Sequence, residues 1–449
     1  MKEPLRILRW VVLGAASGGM AGLASYAFLE ALDWATDLRL DHGWLLYLLP
    51  VAGLAIGVVY HRYAGRASGG NHLLLEEIHT PTTWVPRRMA PMVFVGSVVS
   101  HVFGASVGRE GAAVQMSGSL SDLLARVLKL EPADRRILLI AAIAGGFGSI
   151  FGVPLTGAVF AMEVQSADRG VRYEAFVPAL TASVVGDLVV GGLGYHHGGR
   201  LLLDVHVTAL LLLQVAAAGV AMGLLSRAFI GATHAVRSVV ARLAWPPWRT
   251  VAGGVATVAI ALAVGRDELG LSTPLLDAAV SGHTPAAGAW LLKLVLTAIA
   301  LGCAFPGGEV TPIFVMGATL GGVLAGPLGV DVSLLSSVGL VAIFAGASNT
   351  PLACTIMGAE LFGSSSVVVM AVACVAAYVV SGHAGIYAAH GHSVAVAGRG
   401  DVEGGVAVEE ADGEQVEPGG LDRHDGPVLG TGDVGDAEGV PHDDVGPDE

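Results

Sequence analysis

The sequence predicts an all-α membrane protein that crosses the bilayer several times and consists of two repeated halves. It is 53% hydrophobic and only 14% charged, whereas a soluble globular protein is usually about a quarter charged. Apolar stretches follow one another along nearly the whole chain. In addition, two motifs with similar internal spacing lie about 200 residues apart, as expected for a repeat.

The apolar stretches differ in length, which indicates that only some of them cross the membrane completely. A transmembrane helix needs about 20 residues, so we expect the shorter stretches to enter the bilayer only partway. The first stretch continues into the body of the protein without a small-residue cleavage site, so we expect no cleaved signal peptide. The stretches are residues 7–32, 44–60, 89–106, 136–165, 173–194, 205–230, 251–264, 289–303, 311–330, 334–347 and 365–381.

Each of the two motifs combines a glycine-rich break, a carboxylate and, further along, a proline followed nine residues later by a second carboxylate. Repeated Gly/Pro-broken apolar segments indicate the binding site of a transporter, and isolated acids within them are functional candidates. We interpret the second carboxylate of each motif as a structural anchor at a helix end. The two sets are Gly108–Gly111 with Pro154 and Glu163, and Gly307–Pro312 with Pro351 and Glu360.

A break between the halves is predicted at Trp245–Arg249, where tryptophans and prolines are typical of a turn at the membrane interface. We therefore place the first half at residues 1–240 and the second at 250–394. Residues 395–449 differ in composition, since from Asp401 onward the chain has 16 acids and a single base, Arg423. This segment shows no periodicity and is predicted to be an acidic disordered tail.

The distribution of bases predicts the orientation of the chain. Basic residues at positions 2, 6 and 9 precede the first apolar stretch, which favours a cytoplasmic N-terminus, and we expect the acidic tail on the same side of the cell membrane. Cys303, Cys354 and Cys374 lie in apolar segments without metal-binding spacing, so we expect them to be core residues. We expect no cofactor, no metal and no nucleic-acid partner.

Several glycine breaks are suited to binding an anion. The start of a helix directs unpaired N–H groups and the positive end of the helix dipole at whatever lies beyond it. Breaks of this kind at membrane depth are tolerated where they line a cavity. Several such starts aimed at one point would bind a dehydrated anion without a full positive charge, so that the ion can also leave. The predicted starts follow Gly69, Gly108, Gly152 and Gly307.

Glu110 lies at one of these helix starts and is the first candidate for a functional carboxylate. When ionised it can occupy the anion site itself, and when protonated it can move away, so it would be both a gate and a proton carrier. The alternative is that Glu110 and Arg109 only pair with each other. We favour the gate, because neighbours in sequence point to different faces of a helix.

The chain resembles the CLC family of anion channels and transporters. The resemblance covers roughly residues 10–390 and depends on Gly108–Gly111 together with the string Ala141–Glu163. It implies the CLC fold, in which each subunit of a homodimer has one ion pathway and is built from two inverted halves of tilted and broken helices. It also implies lipid as surroundings and an anion and protons as the transported species.

Three departures from the ordinary chloride members resemble the CLC-F branch, the fluoride/proton antiporters of microbes. The family's first signature, usually Gly-Ser-Gly-Ile-Pro, is here Gly69–Leu73, with no serine or proline in place. The third signature, usually Gly-x-Phe-x-Pro, is Gly308–Pro312. The inner proton-transfer glutamate is replaced by Val164.

The resemblance to this branch assigns roles to individual residues. Gating and proton transfer are assigned to Glu110 and Glu309, because Val164 cannot carry a proton; the alternative is that Glu309 only caps its own helix. Fluoride holds its water tightly, so its site must offer strong, well-aimed donors. The anion-binding residues implied are Asn71, Gly108, Arg109, Gly111, Val310, Thr311 and Tyr387.

The interpretation as a fluoride/proton antiporter that exports cytoplasmic fluoride has three alternatives. The nearest is a chloride channel or a chloride/proton exchanger of the same fold. An intramembrane serine protease using Ser17, Ser106 or Ser348 is disfavoured, because no Ser–His pair has convincing helical spacing. The third alternative is a scaffold or sensor that acts through the acidic tail, and intact transport after deletion of residues 401–449 would dispose of it.

Overall fold

A computed structural model describes residues 2–165, 169–198, 201–382 and 385–387. The described residues are mainly helical, as the sequence predicts. These residues form sixteen α-helices and three short 3-10 helices within one compact unit, and their single β-type pairing is an isolated bridge between Gly108 and Gly308. Seven of the described helices are long and apolar enough to cross a membrane. The predicted acidic tail lies outside the described residues.

The helices before the predicted break include very long and very short elements. Helix α1 has 40 residues and so spans about 60 Å, roughly twice the thickness of a hydrocarbon core, whereas α3 and α7 have ten residues each. The bounds are α1 Lys2–Asp41, α2 Leu49–Tyr63, α3 Gly70–His79, α4 Met89–Val102, α5 Glu110–Val127, α6 Pro132–Phe151, α7 Pro154–Glu163, α8 Arg169–Gly192 and α9 Ala209–Val240, with 3-10 helices Gly43–Leu48 and Gly65–Gly69.

The helices after the break repeat the order of lengths seen in the first half. Helices α12 to α15 have 14, 19, 17 and 12 residues, against 14, 18, 20 and 10 for α4 to α7. The bounds are α10 Pro247–Val264, α11 Thr273–Val280, α12 Ala289–Gly302, α13 Val310–Leu328, α14 Val332–Ser348, α15 Pro351–Phe362 and α16 Val367–Ser381, with a 3-10 helix Ser364–Ser366.

Equivalent breaks interrupt the long apolar stretches of both halves. Helix α6 ends at Gly152, which is left-handed at φ 70°, and α7 begins with Pro154 at its first turn. Helix α14 ends at Asn349, which is left-handed at φ 58°, and α15 begins with Pro351. Glycine and asparagine tolerate this conformation best, and proline suits the first turn of a helix. The apolar stretch 136–165 is therefore two helices that meet at a sharp turn.

Small residues allow the long helices to approach closely, as in the contact between α1 and α8. Gly14, Gly18 and Gly22 lie one turn apart along α1, and a methyl group at Gly18 would lie 2.3 Å from the Ala182 carbonyl oxygen. Close packing of glycines is a common way of joining helices in lipid. Cys303, Cys354 and Cys374 are buried and form no disulfide, as expected of core residues.

The two carboxylates that follow the prolines join the two halves. Glu360 of α15 accepts hydrogen bonds from the Leu155 and Thr156 N–H groups at the start of α7, at 2.9 and 2.8 Å. Glu163 of α7 accepts from the Leu352 and Ala353 N–H groups at the start of α15, at 3.1 and 2.7 Å. Both are helix anchors, and each caps a helix of the other half.

Candidate functional site

The two glycine motifs meet in the middle of the protein, where α5 and α13 begin. The Gly108 N–H donates to the Gly308 carbonyl at 2.5 Å, and the Gly308 N–H donates to the Gly108 carbonyl at 2.7 Å. This reciprocal pair of bonds brings the two helix starts into direct contact. These two bonds give hydrogen-bond partners to some of the backbone N–H and C=O groups of both breaks, as irregular backbone at membrane depth requires.

Glycine is required at this junction because the two backbones leave no room for a side chain. A methyl group at Gly308 would lie 2.6 Å from the Gly111 backbone nitrogen and 3.2 Å from that of Glu110. A methyl group at Gly111 would lie 3.0 Å from the Asn71 side-chain nitrogen and 3.1 Å from the Gly308 Cα. The backbone neighbours at Gly308 cannot move without displacing a helix start, because they are the first residues of α5.

Gly308→Ala should therefore force the two helix starts apart. We expect a loss of about 1–3 kcal/mol in stability, as for overpacking of a tight interior, together with loss of transport. Thermal unfolding in detergent and anion flux from proteoliposomes measure the two effects. Gly326→Ala on the same helix is the matched control, because nothing lies within 4 Å of its added methyl group; an equal effect of both substitutions would contradict the steric explanation.

The Glu110 carboxylate lies at the start of α13, not only at the start of its own helix. Its Oε2 accepts from the Thr311 backbone N–H at 3.0 Å and from the Arg109 N–H at 3.1 Å. The Thr311 hydroxyl donates to Glu110 Oε1. The side chain is 1% exposed. A carboxylate is thus bound by the N-terminus of a helix from the opposite half, which is the type of site that binds anions.

Arg109 contacts Glu110 as well, which the sequence argument about diverging neighbours did not anticipate. Arg109 Nε lies 3.5 Å from Glu110 Oε1. The divergence argument was wrong because Arg109 is the N-cap residue and precedes α5, so the two side chains are not successive positions on one helix. Arg109 also interacts electrostatically with Asp33 of α1 and Asp277 of α11.

Asn71 is placed at the same site by helix α3. Gly69 is the N-cap residue of this helix, and no side chain caps it. The Ser68 hydroxyl donates to the Gly65 carbonyl at 2.7 Å. Gly70 has φ +55°, a left-handed conformation that glycine adopts readily. This bend leaves the Asn71 amide free of a capping role and close to Gly111.

A small cavity lies between Asn71, Glu110 and Tyr387, the last of which is the final described residue. Its volume is about 20 Å³, and a water molecule needs roughly 10–15 Å³ on this scale. It therefore admits one species the size of a water molecule or a small ion. The lining residues are Asn71, Leu74, Leu75, Glu110, Gly111, Val114, Ile143, Phe147, Phe160, Val164 and Tyr387.

Glu309 lies next to this cavity, and its side chain does not cap α13. It is the N-cap residue of the helix but makes no side-chain capping bond. Instead its carboxylate interacts with the Tyr387 hydroxyl and, electrostatically, with Glu110. The cap alternative for Glu309 is therefore not supported by the geometry. Val310 is buried at 1% exposure, and its only polar groups are those of its backbone.

Aromatic rings on one side of the cavity were not predicted from the sequence. Phe147 and Phe160 stack with ring centroids 4.3 Å apart, and Phe160 contacts the Tyr387 ring edge-on at 6.1 Å. These residues come from α6, α7 and the 385–387 segment, and no local pattern relates them. Asp187, an acid within the long helix α8, has its Oδ1 3.8 Å from His197 Nε2.

These features define a class of protein. Membrane-spanning helices, broken helices meeting at a small cavity, and a carboxylate bound where an anion would bind are the features of a membrane transporter for a small anion. The family model for the voltage-gated chloride channels matches residues 52–382. The chain belongs to this family, whose members are transport proteins and not enzymes.

Relatives and solved structures are consistent with this assignment. A protein of Pseudomonas syringae pv. tomato described as a chloride/fluoride channel protein is 45% identical over 399 residues, which is 86% of this chain and 88% of the relative. The crystal structure of a CLC-type fluoride/proton antiporter matches with a TM-score of 0.81 and 29% identity, covering 85% of this chain and 97% of the other.

A more distant structure shares the fold alone. The X-ray structure of a slow cyanobacterial Cl⁻/H⁺ antiporter matches with a TM-score of 0.74 at 18% identity, covering 83% of this chain and 94% of the other. The predicted fold class, an all-α polytopic membrane protein with the CLC fold, is thus confirmed.

Proposed function

We propose that this protein is a fluoride/proton antiporter that exports cytoplasmic fluoride in exchange for entering protons. The observation that carries the proposal is the Glu110 carboxylate bound by the Thr311 N–H and hydroxyl at the start of α13. A site that holds a carboxylate by such donors can hold a small anion by the same donors. An anion and the ionised Glu110 therefore compete for one position.

This competition supplies a coupling mechanism. Protonation removes the charge of Glu110 and weakens its charge-assisted bonds to Thr311, so the side chain leaves the site and an anion enters. Departure of the anion lets the carboxylate return and release its proton. Each exchange therefore moves an anion and a proton in opposite directions. Asn71, Gly108, Arg109, Gly111, Val310, Thr311 and Tyr387 form the anion-binding set in this proposal.

Fluoride is favoured over chloride by the size and the donors of the site. The cavity admits a species about as large as water, and fluoride is close to water in size whereas chloride is larger. The Asn71 amide and the Thr311 and Tyr387 hydroxyls are donors that can replace tightly held water. The solved structure of a CLC-type fluoride/proton antiporter supports the same choice, whereas the relative described as a chloride/fluoride channel protein is named for both halides. A chloride channel or chloride/proton exchanger remains the alternative.

Glu309 is the second carboxylate of the proposed pathway. Val164 lines the cavity where the family's inner proton-transfer glutamate would follow Glu163, and valine cannot exchange protons. Glu309 interacts with both Glu110 and Tyr387, so it lies within reach of the gate. A proton released by Glu110 would thus have a carboxylate acceptor next to the anion site.

Tyr387→Phe should weaken fluoride binding and leave the fold intact. Phenylalanine keeps the ring contact with Phe160 and removes one donor, which is worth about 1.5–3 kcal/mol for a charged partner, or roughly ten- to a hundredfold in the dissociation constant. Calorimetric titration with sodium fluoride measures the effect. Tyr378→Phe on α16, away from the cavity, is the control, and unchanged fluoride binding in Tyr387→Phe would place Tyr387 outside the pathway.

The assembly and orientation proposed here follow from the family and from charge. We propose a homodimer embedded in the lipid of the cell membrane, with one pathway in each subunit and two inverted halves at residues 1–240 and 250–394. Bases before α1 favour a cytoplasmic N-terminus, and we propose that the acidic 395–449 tail lies on the same side. Cross-linking in native membranes tests the dimer.

Ion selectivity separates the proposal from its alternative. Proteoliposomes loaded with either potassium fluoride or potassium chloride should release fluoride much faster than chloride when valinomycin carries the counter-ion. Comparable release of both halides, or faster release of chloride, would favour the chloride exchanger or channel. Protein-free liposomes provide the leak that must be subtracted.

A further inference from the structure

A buried network of charges holds the far end of α3, away from the anion site. Glu77, on the last turn of α3, is fully buried and accepts from Arg66 Nη2 at 2.9 Å and from Arg135 Nη1 at 3.2 Å. It also accepts from the backbone N–H groups of Thr82 and Thr83, each at 3.2 Å. A buried carboxylate needs partners of this kind, because an unpaired charge in the interior is very costly.

Arg135 connects this carboxylate to helix α5. Its Nε lies 2.5 Å from Oδ1 of Asp122 on α5, and its Nη2 donates to the Thr83 carbonyl at 2.8 Å. Asp122 Oδ2 accepts from the Val85 N–H at 2.6 Å. Arg135 is 6% exposed and stacks on Trp84, with 4.7 Å from its Cζ to the ring. One guanidinium therefore binds α3, α5 and the segment between them, as its planar fork allows.

The same two helices touch along their whole shared length. Near the anion site, a methyl group at Gly70 would lie 3.2 Å from the Gln115 side-chain nitrogen, and one at Gly111 would lie 3.0 Å from that of Asn71. In the middle, a methyl group at Gly118 would lie 2.6 Å from Leu74. Asn71 and Leu74 of α3 contact Gly111 and Gly118 of α5 in the same order, so the two helices run side by side with both N-termini at the cavity.

A change in the position of α3 would therefore change the cavity directly. Asn71 and Leu74 of α3 and Gly111 and Val114 of α5 all line it. Glu77 lies six residues beyond Asn71, about 9 Å along the helix axis. A helix of this length is stiff, so the network at its far end determines how close the Asn71 amide comes to a bound ion.

We propose that Arg135, by pairing with Glu77 and Asp122, is a positioning residue that sets the selectivity for fluoride over chloride through the distance between Asn71 and the anion. Fluoride is the smaller ion and needs the closer donor, so relaxing α3 weakens fluoride binding and enlarges the site toward chloride. This inference depends on the proposed function, because it assigns a determinant of selectivity to the same site.

The test compares the dissociation constants of sodium fluoride and sodium chloride by calorimetry on the full-length protein in detergent. Arg135→Lys keeps the charge and loses the fork that reaches both acids. We expect its fluoride affinity to fall about tenfold, as on losing one donor to a charged ligand, while its chloride affinity changes by less than about twofold. Asp122→Asn should likewise lower the ratio of fluoride affinity to chloride affinity. It replaces Arg135→Lys as the test variant if Arg135→Lys does not fold.

The control and the background variant separate positioning from a general loss of stability. Arg126→Gln removes a guanidinium that stacks on the same Trp84 ring at 4.9 Å without binding Glu77 or Asp122, and it should leave the ratio unchanged. In an Asn71→Ala background, Arg135→Lys should cause no further change of the ratio, whatever it does to thermal unfolding.

Three results would overturn the proposal. They are an unchanged fluoride-to-chloride ratio in folded Arg135→Lys or Asp122→Asn, an equal change in Arg126→Gln, and a full additional change in the Asn71→Ala background. A wild-type protein that binds no fluoride would instead contradict the proposed function, and the inference with it.

Discussion

Glu110→Gln should abolish proton transport driven by a fluoride gradient. The amide occupies nearly the same volume as the carboxylate and can still accept from Thr311, which donates to Glu110 through its N–H and its hydroxyl. It cannot take up or release a proton. We expect the ratio of protons to fluoride to fall by about a hundredfold or more, the usual minimum for loss of a proton-transferring group.

The measurement uses a fluoride electrode and a pH electrode in the same liposome suspension. Glu174→Gln is the matched control, because this exposed carboxylate pairs with Arg6 on the surface at 2.7 Å and lies far from the motif. It should keep the wild-type ratio. Proton flux of wild-type size in Glu110→Gln would show that another group carries the proton and would remove Glu110 from the gate.

Glu309→Gln should also abolish coupled transport, although it preserves size and hydrogen-bonding capacity. Its carboxylate interacts with Tyr387 and with Glu110, and it is the acid next to the cavity where Val164 replaces the family's inner glutamate. Without a second titratable group, a proton on Glu110 has no acceptor beside the anion site. We expect a loss of coupled flux about as large as for Glu110→Gln.

Two further variants separate proton transfer from structure. Val164→Glu in the Glu309→Gln background should not restore coupling, because the proposed route uses the Glu309 carboxylate, which interacts with Tyr387 and Glu110. Glu131→Gln, at the exposed start of α6, should behave as wild type. A Glu309→Gln protein that still exchanges protons for fluoride would show that Glu309 has no part in proton transfer.

The broken helices could be predicted from the sequence because their signals are local. Gly152 with Pro154 terminates one helix and starts the next, and Pro351 starts the equivalent helix of the second half. The crossing of Glu163 and Glu360 could not be predicted. Each carboxylate binds a helix about 190 residues or more away, and a sequence pattern gives the residue type without naming its partner.

The residues of the functional site could likewise be predicted from local sequence, whereas the contacts between them could not. Glu110 was predicted as a functional residue from the glycine-rich break around it, and Thr311 from the resemblance to the CLC-F branch, but the bond between them depends on the Gly108–Gly308 pairing. The charged network around Arg135 was missed entirely. Glu77 lies on a mixed helix and Asp122 among polar residues, where exposed acids are the rule, and only the packing of α3 on α5 buries them.

The most direct test of the antiporter is proton movement by the wild-type protein when fluoride alone supplies the driving force. Proteoliposomes with fluoride inside, equal pH on both sides and the membrane voltage clamped at zero by potassium and valinomycin should release fluoride and take up protons. Proton uptake should stop when chloride replaces fluoride on the inside. Fluoride release without proton uptake would contradict the antiporter and leave a channel.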